Sequence, residues 1–225
     1  NIRTVQSATN WFSRWSASGL TGVWAEENTR EAIFEAFRRK ETFATTGPRI
    51  KVRFFAGYDY AGDITDAADL TKKAYAGGVP MGGDLVGNGE IPSFLVWAMR
   101  DPGAAALQRA QVVKVTSSGE QVYDVACHAG SPDPVTHRCP DNGASVDMAT
   151  CAPQGDGAGE LKTLWSDQEF RADQNATYYV RVLENPTCRW STWEALKNGT
   201  PPRPDVAQTL QERAYTSPIW YASTR

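Results

Sequence analysis

Short runs of β-branched and aromatic residues, several only a turn's length apart, constrain this chain most. Residues 94–99, 110–116, 121–126, 177–183 and 215–221 each read as a strand. Ser117-Ser118-Gly119 between two of them has the composition of a hairpin turn. Ile50, Val52 and Phe54 alternate with Lys51 and Arg53, the period of a strand buried on one face. Residues 79–86 read as a strand broken at Gly82-Gly83. Many strands with few helices predict a mostly β, α+β chain, sandwich-like over 49–225.

Helical spacing shows clearly in one place. Asn28 and Glu31 match a capping box, in which side chains satisfy the first free backbone N–H groups. Ala32, Ile33, Ala36 and Phe37 then recur on one face, and Arg38, Arg39 and Lys40 sit where cations suit the helix dipole. This predicts an amphipathic helix of about three turns. Shorter helices are expected at 159–165 and 192–198, and an irregular insertion at 57–78. Residues 1–18 read as a short helix or a connecting loop, and 201–204 (Pro-Pro-Arg-Pro) as a stiff connector.

A formal net charge of −3 argues against nucleic acid as a partner, because phosphate binding needs a basic face. No apolar run approaches the roughly 20 residues of a membrane span. Eight Trp, eight Tyr and eight Phe suit sheet packing, with a carbohydrate or aromatic-ligand surface as the alternative.

Cys127, Cys139, Cys151 and Cys188 are even in number, and three lie in a Gly/Pro/Asp-rich insertion at about 127–159. That stretch has little apolar periodicity, so cross-links would supply its missing constraint. Four cysteines allow three pairings. The expected pattern is Cys139–Cys151 within the loop and Cys127–Cys188 between strand ends. Disulfides imply an oxidising compartment, periplasmic or secreted. A zinc site using Cys127-His128 and His137-Arg138-Cys139 is the rival, but the spacing fits no common zinc module.

Longer motifs go further. The run from Gly19 to Arg49, together with 78–84 (GVPMGGD), 94–102 (FLVWAMRDP), 122–126 (VYDVA), 178–187 (YYVRVLENPT), 189–191 (RWS) and 212–220 (ERAYTSPIW), resembles the C-terminal half of the domain of unknown function 3604 family. Those proteins are large bacterial relatives of the polymerase-and-histidinol-phosphatase (PHP) metallohydrolases. The resemblance implies that 1–48 is the tail of a PHP-like barrel, its final helix and exit strand, and that 49–225 is an appended β-rich domain. It implies a metal-dependent hydrolase of phosphate or sulphate esters whose His and Asp ligands for divalent zinc, manganese or iron lie upstream. No metal or other cofactor is then expected in this chain, which alone would be inactive. His128 and His137 lie in the wrong region to be barrel ligands. The expected partners are the upstream barrel of the same polypeptide and a small anionic ester.

Within that reading Trp24, Glu26 and Glu27 leave the barrel's catalytic rim and stand near the substrate. The favoured reading is structural: Trp24 packs against the barrel, and the glutamates suit the helix N-terminus. Arg49, Arg181 and Arg189 are candidates for gripping an anionic ester bidentately, against ordinary ion pairs. Asp84, Asp101 and Asp124 are candidate acid–base carboxylates, against roles at turns and strand ends.

Overall fold

The computed structural model describes Trp15 and residues 18–223, so the reading of 1–18 falls almost wholly outside the described residues. β1 (Leu20–Val23) and β2 (Thr42–Thr45) flank α1 (Arg30–Arg38). β3 (Lys51–Gly57) leads through a 3-10 turn at Ile64–Asp66 to α2 (Leu70–Gly77), β4 (Gly78–Pro80) and β5 (Asp84–Val86). Then come β6 (Ser93–Met99), β7 (Leu107–Thr116), β8 (Gly119–Cys127), the short β9 (Ser145–Val146) and β10 (Pro153–Gln154), and β11 (Glu160–Ser166). β12 (Ala176–Glu184), β13 (Thr187–Cys188), α3 (Trp190–Lys197), β14 (Thr209–Leu210), β15 (Arg213–Thr216) and β16 (Ile219–Ala222) complete the described chain.

β12 is the spine of the larger sheet. One edge pairs with β7, which pairs in turn with β8. The other edge pairs with β16 near its start and β15 near its end, the two being separated at Ser217-Pro218. β15 continues antiparallel to β2 and β1, whereas β16 runs parallel to β5. The smaller sheet has the order β11-β6-β3-β4, all antiparallel. The molecule is thus β-rich with three α-helices among the described residues.

Period-2 alternation explains why the sheets meet. Val52, Phe54, Phe94, Val96 and Leu161 of the smaller sheet share one core with Val112, Tyr178, Val180 and Ile219 of the larger. Phe94 spans the layers, with its ring 4.4 Å from that of Tyr178 and 5.8 Å from that of Phe54. The opposite face of β3 and β6 is covered as well: Phe55 and Leu95 pack on Ile64, Leu70 and Ala74. Cover on both faces accounts for the unbroken burial of residues 54–57, where the alternation is lost.

Several expectations need correcting. Residues 57–78 are not irregular throughout, because Leu70 and Ala74, four apart, bury one side of α2. Residues 159–165 are not helical: β11 pairs along its whole length with β6, Leu161 opposite Ala98 and Trp165 opposite Phe94. The cap of α1 is Thr29, one residue later than expected; its backbone is extended and its Oγ1 accepts the Ala32 N–H at 3.3 Å. On α1 Ala36 is buried and Ile33 half-buried, but Phe34 and Phe37 remain 59% and 49% exposed.

All four cysteines form disulfides, with a pairing unlike the expected one. Cys127 joins Cys139 and Cys151 joins Cys188, each with Cα atoms 5.6 Å apart. The reason lies in how the insertion doubles back. Asp133 turns the chain by accepting N–H groups of Val135 and Thr136, and the Asp124 N–H then reaches His137 O at 2.9 Å. Cys139 N–H donates to buried Asp124 at 2.7 Å, so Cys139 arrives beside the end of β8. Cys151, in a left-handed turn (φ 58°), remains to meet Cys188 on β13.

Candidate functional site

A cleft of about 510 Å³ lies where the chain leaves β1, at the C-terminal end of α1 and against β3 and α2. Trp24, Glu26, Arg39, Glu41, Arg53 and Tyr75 line it. Trp24 follows β1 and is fixed at two points. Its backbone N–H donates to Glu41 O at 3.1 Å, and its indole N–H donates to Val52 O at 2.8 Å. β4 pairs only with residues 55–57 of β3, so the Val52 carbonyl lies on an edge of β3 that β4 does not reach. An indole N–H is a suitable donor for it.

Arg53, on the outward phase of β3, lays its guanidinium 3.7 Å from the centroid of Trp24 and donates to Tyr75 Oη at 3.2 Å. Tyr75 on α2 donates to Glu41 Oε1, and Arg39 Nη2 stands 3.5 Å from Glu41 Oε2. Glu41 itself is only 3% exposed. Burial, then the Glu41 carboxylate, push the Tyr75 phenol above its ordinary range, so it stays a protonated donor at neutral pH. The turn carrying Arg39 and Lys40 depends on Gly82 (φ 87°), where a Cβ would lie 2.4 Å from Lys40 O.

The electrostatic result is asymmetric. Glu41 is consumed by Tyr75 and Arg39, whereas Arg53 has no carboxylate within ion-pair distance among the described residues. A guanidinium offers five N–H donors in a planar fork, and one hydrogen bond uses one of them. This arrangement can hold and orient an anionic ligand against an aromatic wall.

Of the residues singled out from sequence, Trp24 and exposed Glu26 meet in this cleft, and Glu27 is exposed nearby in the chain. The three arginines lie elsewhere. Arg49 is exposed between β2 and β3, and its backbone N–H donates to Asp101 at 2.8 Å. Arg181 Nε donates to Gln111 at 2.6 Å, and Gln111 donates to Asp124 at 2.5 Å. Arg189 is 6% exposed and bonds to Ser191 Oγ and Trp15 O at 2.7 and 2.8 Å. Backbone N–H groups of Arg49 and Gly103 hold the Asp101 carboxyl below its usual range. Asp124 is buried beneath Arg138, and Asp84 is exposed on β5.

Arg39, Glu41, Arg53 and Tyr75 were not read from sequence as site residues, and Arg39 counted only as a helix-end cation. Arg53 counted only as the polar phase of a strand, and Tyr75 belongs to the helix read as a loop. The one usable signal was Lys51-x-Arg53, two cations on one face of a strand whose other face is apolar.

Among the described residues no group of three or more His, Cys, Asp or Glu side chains is placed to hold a metal ion. Cys127 and Cys139, the thiols of the rival zinc reading, are disulfide-bonded to each other. No helix among them is long and apolar enough to cross a membrane. No curated protein and no solved structure matched the chain. A family model described as a protein of unknown function (DUF3604) matches residues 2–223, nearly the whole chain, which therefore belongs to the DUF3604 family.

Proposed function

We infer that this chain is the C-terminal part of a secreted or periplasmic, PHP-like, metal-dependent hydrolase of phosphate or sulphate esters. Residues 1–48 would close the catalytic barrel, and 49–225 would form the β-rich companion domain. In this chain β1 and β2 also extend the larger sheet, so the two parts would share a hydrogen-bonded seam.

The observation that carries the reading is the outer face of α1. Phe34 and Phe37 are each about half exposed, on the same helix as buried Ala36. Two uncovered aromatic side chains forfeit a few kcal/mol of burial, roughly 25 cal/mol per Å², which a docked body would recover. The proposed occupant is the upstream barrel of the same polypeptide. The cleft holding Trp24 and Glu26 opens at the end of this helix, where Arg39 lines it, and would border the route of a small anionic ester. Divalent zinc, manganese or iron would be bound by the barrel. Two disulfides support the oxidising compartment.

A second reading, a non-catalytic module for carbohydrate or protein ligands, draws on the same cleft, whose volume lies in the range of ligand sites. The two are separated by turnover. Aryl phosphate monoesters, diesters and sulphate esters are offered, with added divalent metals, to this chain and to the complete gene product. The hydrolase reading expects metal-dependent turnover by the complete product alone; inertness of both leaves the binding module.

A further inference from the structure

Trp24 and Arg53 have a second side. Beyond them, over the outward face of the smaller sheet, lies a separate pocket of about 210 Å³. Strand register builds it: Arg53 stands opposite Trp97, and Lys51 opposite Met99. Thr71 on α2 and the edge of Trp24 close the sides. No carboxylate is among its lining residues. The neighbouring Glu160 is already engaged, accepting the Trp97 indole N–H at 2.6 Å and lying 3.5 Å from Lys162.

We propose that this pocket binds a single aromatic ring carrying one anionic group, with the ring against Trp97 and Met99 and the anion between Lys51 and Arg53. Three observations converge on that class. The pocket holds two cations with no paired acid, so an anion replaces water at little cost in displaced partners. Its remaining walls are indole, thioether and the Val52 backbone, which suit a flat apolar ring. Its donors also outnumber its acceptors. A sugar's hydroxyl groups need both, and Thr71 Oγ1 is the one neutral side-chain oxygen in the lining.

The inference does not depend on the hydrolase reading, and its probe cannot be hydrolysed. 4-Methylbenzoate is titrated into the 225-residue chain while the Trp24 and Trp97 indole N–H signals are followed by NMR. Saturable shifts of both signals are expected. Lys51→Gln and Arg53→Gln should each weaken binding by about tenfold, the loss of one charge-assisted contact. 4-Methylbenzyl alcohol, a ring without charge, and acetate, a charge without a ring, should each bind at least about tenfold more weakly. Lys51 is exposed, so its variant reports on binding with the fold intact. Absence of saturation up to about 20 mM overturns the assignment, as does binding unchanged in Lys51→Gln. Tighter binding of methyl glucoside than of 4-methylbenzoate overturns it too.

Discussion

Arg53 places its guanidinium 3.7 Å from the ring centroid of Trp24, and that same indole donates to the backbone of Val52, the residue before Arg53. One aromatic side chain therefore ties the β1–α1 junction to β3 and orients the cation shared by both pockets. Trp24→Phe keeps a ring but loses the N–H, and should cost about 1 kcal/mol. A double-mutant cycle of Trp24→Leu with Arg53→Leu, read by urea unfolding, should give a coupling of about 0.5–2 kcal/mol. Simple additivity would deny the contact any energetic role.

A buried ion pair closes the far end of the core. Lys114 Nζ lies 2.6 Å from Asp167 Oδ2, with side chains 5% and 0% exposed. Tyr178 Oη also donates to that oxygen at 2.9 Å, and Lys114 donates to Glu169 O at 2.9 Å. Removing one charge strands the other, so Lys114→Met should cost about 3–5 kcal/mol. Adding Asp167→Asn to that variant should recover part of the loss in chemical denaturation.

Stability should also depend on pH through Glu184. This residue is wholly buried at the end of β12; burial first, then the Glu212 and Asp101 carboxylates, push its carboxyl up to about 8. The folded state therefore keeps a proton that the unfolded chain releases near its ordinary 4.5. The protonated folded form is favoured in full below that value. The advantage is lost as pH rises through the interval and is gone above about 8. Glu184→Gln should flatten this slope and raise stability at pH 8 by a few kcal/mol. Melting curves from pH 5 to 8.5 of both proteins test it. Parallel profiles would contradict it.

The disulfides make a ranked prediction. Peptide mapping without reduction should recover Cys127–Cys139 and Cys151–Cys188. Their sequence separations are 12 and 37, which on loop-entropy grounds correspond to roughly 3 and 4 kcal/mol. Replacing the second pair with alanines should be the more damaging, by about 1 kcal/mol in urea unfolding.

What could be read in advance follows from periodicity. β3 was legible from the alternation of residues 50–54, and β6, β7, β8 and β12 from their runs of β-branched and aromatic residues. β11 was not: Leu161 and Leu164 stand three apart and imitate a helix turn, although they lie on opposite faces of a strand. α2 hid because two turns give too few positions to establish a helical period, and it ends in Gly77 with Gly78 next. The disulfide pairing depends on where Asp133 turns the insertion, a tertiary matter. The cleft was half visible: Trp24 and Glu26 came from their neighbourhood in a motif. Arg53 and Tyr75 acquire meaning only when β3 and α2 are side by side.

The central claim is that the outer face of α1 is an interface with the rest of a longer polypeptide. Amide hydrogen exchange of residues 30–38 measures it directly, in this chain alone and in the complete gene product. The account predicts that exchange slows by at least about tenfold in the complete product and that Phe34→Ser/Phe37→Ser abolishes the slowing. Equal exchange in both settings, with Phe34 and Phe37 as open to solvent in one as in the other, would contradict it.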